Sequence, residues 1–175
     1  MTLDQKIQIW NAVGTWVAGF GTLAAVVLSL WLAGRSERID LKVTVGVRQL
    51  FGGDGTPPEE NIAFAVTNAG PRPVTVSSVG WRVGRRKAAR YCLQTLCGRY
   101  SSQYPKTLQH GEQSTFMVSF KAAPNWAHEF ATGFVRDLSE RNLQTLVAQV
   151  HTSVGKTVLA KPERSVLERL RNAVA

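Results

Sequence analysis

The sequence predicts a mainly β protein in which a transmembrane helix precedes an antiparallel β-sandwich with one inserted helix and a short C-terminal helix. Residues 7–34 carry no ionisable side chain, and about 20 apolar residues in a helix span a hydrocarbon core. Beyond residue 40, short segments alternate apolar and polar residues, which is typical of strands buried on one face. Turn-forming residues separate these segments about every eight to twelve positions, as in a sandwich.

The transmembrane segment has a tryptophan near each end. Trp10 and Trp31 lie about 32 Å apart along a helix that rises about 1.5 Å per residue, close to an apolar thickness of about 30 Å. Indole rings prefer the two headgroup regions, and Arg35 follows as a third interface anchor. A buried core helix and a cleaved signal peptide are the alternatives. The first is rarely so long and uncharged, and the second has an apolar run of only about 7–15 residues.

Basic residues near the helix predict its orientation. Four of them lie between positions 35 and 48, whereas Lys6 and the terminal amine are opposed by Asp4 before the helix. Cytoplasmic flanks are enriched in Lys and Arg, so we expect a single-pass protein of the inner (plasma) membrane, embedded in the lipid bilayer, with its C-terminal domain in the cytoplasm. The predicted organisation is an N-terminal tail at 1–6, a transmembrane helix at 7–34, a connector at 35–40 and a β-sandwich domain at 41–175.

One face of the transmembrane helix carries small or weakly polar residues at heptad-like spacing. Small residues let helix backbones approach closely in lipid, and buried Thr, Ser or Asn can hydrogen-bond between helices. Such residues are also common in membrane helices that do not associate, and this second interpretation stays open. We expect a homo-oligomer, and many copies could line a narrow pore. The residues of this stripe are Asn11, Gly14, Thr15, Ala18, Gly21, Thr22, Ala25 and Ser29.

The alternation assigns the strands in order along the chain. The apolar parity changes within the third strand, which predicts a β-bulge near Ser77–Ser78. A Gly-containing turn at residues 153–156 joins the last two strands as a hairpin. The expected strands lie near residues 41–47, 62–66, 74–83, 116–120, 146–150 and 158–161.

Two segments have helical rather than strand periodicity. Trp126, Phe130, Phe134 and Leu138 recur every four residues, which predicts an amphipathic helix inserted between two strands. A second apolar repeat over residues 166–174 follows a proline and predicts the short C-terminal helix.

Five motifs follow the anchor helix in a fixed order: Asn68-x-Gly70-x-Arg72-Pro73-Val74, Val79-Gly80-Trp81, Pro105-x-x-Leu108-x-x-Gly111-Glu112, Ser153-x-Gly155-Lys156 and Lys161-Pro162. Together they resemble a recurring type of small bacterial protein that is anchored by a single membrane pass and has an immunoglobulin- or fibronectin-like sandwich. The resemblance covers nearly the whole chain. Its motifs are turn chemistry, so it implies the fold and the anchoring but no activity.

A basic segment with interleaved tyrosines is the second prominent feature. Residues 61–111 contain no acidic side chain, and the chain as a whole has a formal net charge of +9. Guanidinium groups pair with phosphate oxygens and aromatic rings stack on bases, while cations near a membrane attract anionic lipid. Anionic lipid, a nucleotide or nucleic acid, an acidic protein and a merely solvated loop all stay open. The candidate contact residues are Arg82, Arg85, Arg86, Lys87, Arg90, Tyr91, Arg99, Tyr100, Tyr104 and Lys106.

Catalytic and cofactor motifs do not emerge from the sequence. Cys92 and Cys97 are the only cysteines, and a structural zinc site takes four ligands, so we expect no metal and, in the cytoplasm, reduced thiols. The run Ser153–Thr157 imitates the end of a phosphate-binding loop, but Val150 stands where that motif requires glycine. We expect neither an enzyme nor a cofactor.

These features favour a non-enzymatic, membrane-anchored binding or assembly module with a basic, tyrosine-containing contact surface. The alternative is an oligomeric membrane effector of a bacterial signalling or antiviral defence system. Such an effector would sense a nucleotide or phage component and permeabilise the membrane.

Overall fold

The computed structural model describes residues 3–36, 38–52, 57–85, 88–136 and 138–174, without the side chains of Lys6, Arg35, Ser36 and Arg141. The chain divides into two units, Met1–Arg38 and Ile39–Ala175. The first unit is a helix, α1, which extends beyond the predicted segment at both ends, from Leu3 to Ser36. Among the described residues it is the one helix whose length and composition suit a membrane span, and none of its apolar stretch is buried.

The second unit is a mixed domain of antiparallel sheets and short helices. Its strands are β1 (Leu41–Leu50), β2 (Glu59–Asn68), β3 (Val74–Val83), β4 (Arg90–Leu93), β5 (Lys106–Leu108), β6 (Gln113–Ser119), β7 (Val147–Thr152) and β8 (Thr157–Ala160). Its helices are α2 (Trp126–Glu129), which continues into a π-helical turn (Phe130–Val135), α3 (Glu140–Thr145) and α4 (Arg164–Asn172).

The strands form two sheets that share one core. The first has the order β1-β2-β6, and the second has the order β4-β3-β7-β8, with β5 also paired to β3. Phe64 of the first sheet contacts Trp81 of the second edge to face, with ring centroids 5.1 Å apart, and both side chains are fully buried. The apolar residues that alternate with polar ones in the sequence are the residues that form this shared core.

The antiparallel pairing and the N-terminal apolar helix are confirmed, and so are two local predictions. The register of β3 against β7 shifts between Val76 and Ser78, where the parity change indicated a bulge. The β7–β8 connection is a hairpin turn in which Gly155 has φ +79°, a conformation that favours glycine.

The elements that the sequence did not reveal are short ones. β4 and β5 have four and three residues, and α3 has six. The inserted helix is also shorter than predicted: its regular turns give way to the π-helical turn, and Arg136 leaves it with φ +64°. Leu138 therefore follows the helix instead of belonging to it.

The outer edge of β1 is covered by the chain that leads into α4. The backbone N–H of Glu163 donates to the Val45 carbonyl (2.8 Å), and the Val47 N–H donates to the Ser165 hydroxyl (3.1 Å). Arg48 also donates two hydrogen bonds to the Glu163 carboxylate, which hold the pKa of Glu163 below its usual value. Covered edges of this kind prevent a sheet from pairing with other chains.

The domain has two distinct ends. The chain enters at the connector end, where the Asp40 carbonyl accepts hydrogen bonds from the N–H groups of Ala69 (2.8 Å) and Gly70 (3.0 Å). Strands β1 and β3 both run away from this end for ten residues, or about 30 Å at roughly 3.3 Å per residue. The end of β1, the start of β2, the end of β3, the start of β4 and the end of β6 therefore lie at the opposite end, which we call the far end.

Asn68 organises the turn at the connector end and explains the first resemblance motif. Its side-chain amide donates to the carbonyls of Arg72 (2.7 Å) and Leu108 (3.0 Å), and its Oδ1 accepts from the Gly70 N–H (3.0 Å). The residue is fully buried. These contacts are turn chemistry, as the sequence indicated.

Candidate binding surface and cleft

The basic segment forms structure instead of one open loop. β4 pairs with Gly80–Val83 and β5 pairs with Val74–Val76, both along the edge of β3 that β7 leaves open. The two short strands thus share one strand position. The residues between them, 94–105, leave this sheet and reach the other one; we call them the crossing segment.

Gln94 fixes the start of the crossing segment. Its backbone N–H donates to the Val79 carbonyl (2.9 Å). Its Oε1 accepts from the indole N–H groups of Trp81 (3.0 Å) and Trp126 (3.2 Å), which ties the crossing segment to the core and to α2. Nothing in the sequence pattern marks this glutamine as central.

The crossing segment then covers the free edge of β6. Cys97 exchanges backbone hydrogen bonds with Met117 (3.2 Å) and Ser119 (3.0 Å) as a short parallel bridge. Further along, the Ser101 hydroxyl accepts from the Met117 N–H (2.9 Å), and the Ser102 N–H donates to the Thr115 carbonyl (2.9 Å). The segment therefore closes one side of the domain between the two sheets.

Four predicted contact residues come together around the β3–β4 turn at the far end. Arg82 and Tyr91 are opposite each other in the strand register, on the face of the sheet turned away from the core, and Arg85 is exposed in the turn. The Arg82 Nε is buried and has no hydrogen-bond partner among the described residues. Arg90 donates to the Val135 carbonyl (2.7 Å). We call this group the basic hairpin; Arg86 and Lys87 lie outside the described residues.

Two other predicted contact residues are engaged elsewhere. Tyr104 stacks on Phe116, with ring centroids 4.8 Å apart, and its hydroxyl accepts from the Val79 N–H (2.9 Å). Burial raises the pKa of Tyr104, although this hydrogen bond opposes the rise. Lys106 pairs with Glu112 at 3.5 Å, toward the connector end. Tyr104 therefore supports the fold, Lys106 is engaged in an exposed ion pair, and we leave both out of the contact surface.

The remaining pair, Arg99 and Tyr100, lines a cleft of about 640 Å³ at the far end. The Arg99 guanidinium lies 5.9 Å from the centre of the Tyr100 ring, and both side chains are exposed. The other walls come from the end of β1, the start of β2 and residues 119–122. Sequence reasoning missed the residues that these walls contribute, because Phe51, Glu59 and Lys121 lie outside the acid-free segment.

The cysteines and potential metal ligands are placed as follows. Cys92 and Cys97 are free thiols that line one cleft beside Trp126, and burial raises the pKa of Cys92 to about 11. Such a thiol is largely protonated at neutral pH and a poor nucleophile. Among the described residues, no three His, Cys, Asp or Glu side chains are grouped to hold a metal ion.

The stripe on α1 has its hydroxyl groups satisfied within the helix. Thr15, Thr22 and Ser29 each donate to the carbonyl four residues earlier, at 2.8–2.9 Å. The hydroxyl oxygens keep lone pairs that can still accept a hydrogen bond from outside. Trp10 and Trp31 are exposed, while the Arg35 side chain is outside the described part of the chain.

A comparison with models of known protein families and with curated proteins found no match for this chain.

Proposed function

We propose that this protein is a non-enzymatic binding and assembly module, anchored by α1 and carrying its domain on the cytoplasmic side of the inner membrane. The domain is proposed to be an immunoglobulin- or fibronectin-like sandwich of the small bacterial type that the motifs resemble. Its contact surface is the far end, where the basic hairpin and the cleft both lie. Its partners are phosphate-bearing or otherwise acidic.

The observation that carries this proposal is the contrast between the two units. In α1 the apolar side chains are exposed, with Trp10 exposed to 74% and Leu30 to 69%, whereas the second unit has a dense apolar core. A large exposed apolar surface of this kind is typical of contact with a bilayer or another helix. The core gives the far end a rigid support.

Electrostatics favour the far end as the contact surface. Arg85 and Arg99 are exposed, and no ion pair is found for either within the described residues. By contrast, Lys106 is already paired. The far end is also about 30 Å along β3 from the point where the chain enters the domain.

Reversing Arg85, Arg86 and Lys87 to Glu should lower binding of the full chain to a single-stranded oligonucleotide by at least about tenfold. The reason is that opposite charges replace cations that would displace counterions from the phosphates. Fluorescence anisotropy in neutral detergent at two salt concentrations measures the change. An unchanged melting temperature is expected, because Arg85 is exposed and surface substitutions usually alter stability by within about 0.5 kcal/mol. If no anionic partner binds the unmodified chain, the binding function is wrong.

Replacing Ala18 or Gly21 by Leu should weaken self-association of the full chain in membranes. A larger side chain on the stripe keeps helix backbones apart, whereas Leu23→Ala changes a residue on another face and should matter less. Crosslinking in native membranes measures the fraction of oligomer. Detection of monomer alone for the unmodified protein would remove the assembly part of the proposal.

One observation favours the membrane-effector function as a second candidate: three hydroxyl groups lie on a single face of α1. Oxygens that keep free lone pairs can line a water-filled path when several helices associate. Dye release from vesicles that contain the protein would favour this function. Its abolition by Thr15→Val and Thr22→Val, which remove the hydroxyl groups at nearly constant side-chain volume, with oligomers retained, would assign the leak to the hydroxyl groups of the stripe.

A further inference from the structure

We infer that the far-end cleft binds a nucleoside phosphate, either as a free nucleotide or as one unit of a single-stranded nucleic acid. This inference rests on the proposed binding function and names its ligand class. The cleft volume of about 640 Å³ falls within the range of about 300–1,000 Å³ that small-ligand sites occupy.

Two exposed rings in this cleft provide stacking surfaces. Phe51 is 75% exposed and Tyr100 is 59% exposed, although the domain buries most of its other aromatic side chains. They approach the cleft from different parts of the chain, the end of β1 and the crossing segment. Any base has a face that stacks on such rings, so aromatic residues beside cations are typical of nucleotide and single-strand binding.

The charges in the cleft match a ligand that has both phosphate oxygens and hydrogen-bond donors. Arg99 and Lys121 are cations and both are exposed. Glu59 is the carboxylate of the cleft, and it accepts a hydrogen bond from the Ser119 hydroxyl. The cations suit phosphate oxygens, which Glu59 would repel. A sugar hydroxyl or a base amino group, by contrast, can donate to Glu59.

The wall that carries Lys121 is fixed before any ligand binds. Ser119 is fully buried, and its hydroxyl accepts from the backbone N–H groups of Lys121 and Ala122, each at 3.2 Å. Gly98 packs closely on this wall: a Cβ added there would lie 3.2 Å from the Ser119 Cβ, and its φ of +124° favours glycine. A preformed wall reduces the entropy cost of ordering the site on binding.

The test measures binding of two probes to the full chain in neutral detergent: fluorescent N-methylanthraniloyl-ATP and a fluorescein-labelled oligothymidylate. Arg99→Glu and Lys121→Glu should each weaken binding by about tenfold or more, since each reverses a charge that pairs with phosphate. Tyr100→Ala should weaken it by about fivefold, and Tyr100→Phe should preserve it. Arg72→Glu is the matched control, because Arg72 is exposed and lies at the connector end.

The two probes distinguish the sources of the ligand. If the mononucleotide probe binds about as tightly as the oligonucleotide, the ligand is a free nucleotide. If only the oligonucleotide binds, the ligand is a nucleic-acid strand. The inference is overturned if neither probe binds, if inorganic phosphate competes as well as AMP, or if Arg72→Glu weakens binding as much as Arg99→Glu. If the cleft variants bind normally while the variant with Arg85, Arg86 and Lys87 reversed to Glu does not, the cleft assignment fails and the proposed binding function stands.

Discussion

Trp81→Ala should lower the free energy of unfolding of the domain by about 3–5 kcal/mol, the usual cost of truncating a buried tryptophan. The Trp81 ring is fully buried and contacts Phe64 (5.1 Å between centroids) and Phe130 (5.2 Å). Its indole N–H also donates to Gln94, so the substitution loosens the start of the crossing segment as well. Because domains are stable by only about 5–15 kcal/mol, this is a large fraction of the total.

Urea denaturation of the full chain in micelles, followed by near-ultraviolet circular dichroism, measures this loss. Phe51→Ala is the matched control: it also removes an aromatic ring, but one that is 75% exposed, so it should change the stability by less than about 0.5 kcal/mol. Equal losses for the two variants would contradict the assignment of Trp81 to the centre of the core.

Asn68→Ala should be the most damaging polar substitution, with an expected loss of about 3 kcal/mol. It leaves the carbonyls of Arg72 and Leu108 without their side-chain partner, while the Gly70 N–H keeps its hydrogen bond to the Asp40 carbonyl. Each buried polar group that loses its hydrogen bond costs about 1–3 kcal/mol, unless water enters. The same denaturation experiment measures the effect.

Asn61→Ala is the control for Asn68. Asn61 is 1% exposed and donates to the Glu59 carbonyl at 2.9 Å, near the far end. Unlike Asn68, Asn61 does not join two turns across the sheets. The loss of its side chain should therefore lower the free energy of unfolding by about 1 kcal/mol. A larger loss for Asn61 than for Asn68 would show that the connector-end turn is not the stronger polar constraint.

The sequence predicted the parts of the fold that depend on repeated apolar positions. The alternation in β1, β2 and β6 and the parity change at Ser77–Ser78 follow directly from which face of a strand is buried. The uncharged stretch 7–34 within α1 was equally easy to recognise. Each of these patterns lies within one short stretch of the chain, so it can be recognised without knowing which distant residues are in contact.

The missed features depend on contacts between distant residues. β4 and β5 are too short to show an alternation, and both form because the edge of β3 is available to them. The path of the crossing segment brings the Tyr104 hydroxyl to the Val79 N–H. The spacing of these two residues in the sequence does not reveal this hydrogen bond. The cleft likewise joins Phe51, Arg99 and Lys121 from three connections that only the sheet topology brings to one end.

The central claim is that α1 anchors a cytoplasmic binding domain, and protease digestion of membrane vesicles tests it most directly. In inverted inner-membrane vesicles the domain, residues 39–175, should be exposed and removed, while in right-side-out vesicles it should be protected. The protein should also stay in the membrane pellet at alkaline pH, because α1 is held by its apolar side chains and not by charge. Release at alkaline pH, or protection of the domain in inverted vesicles, would contradict the account.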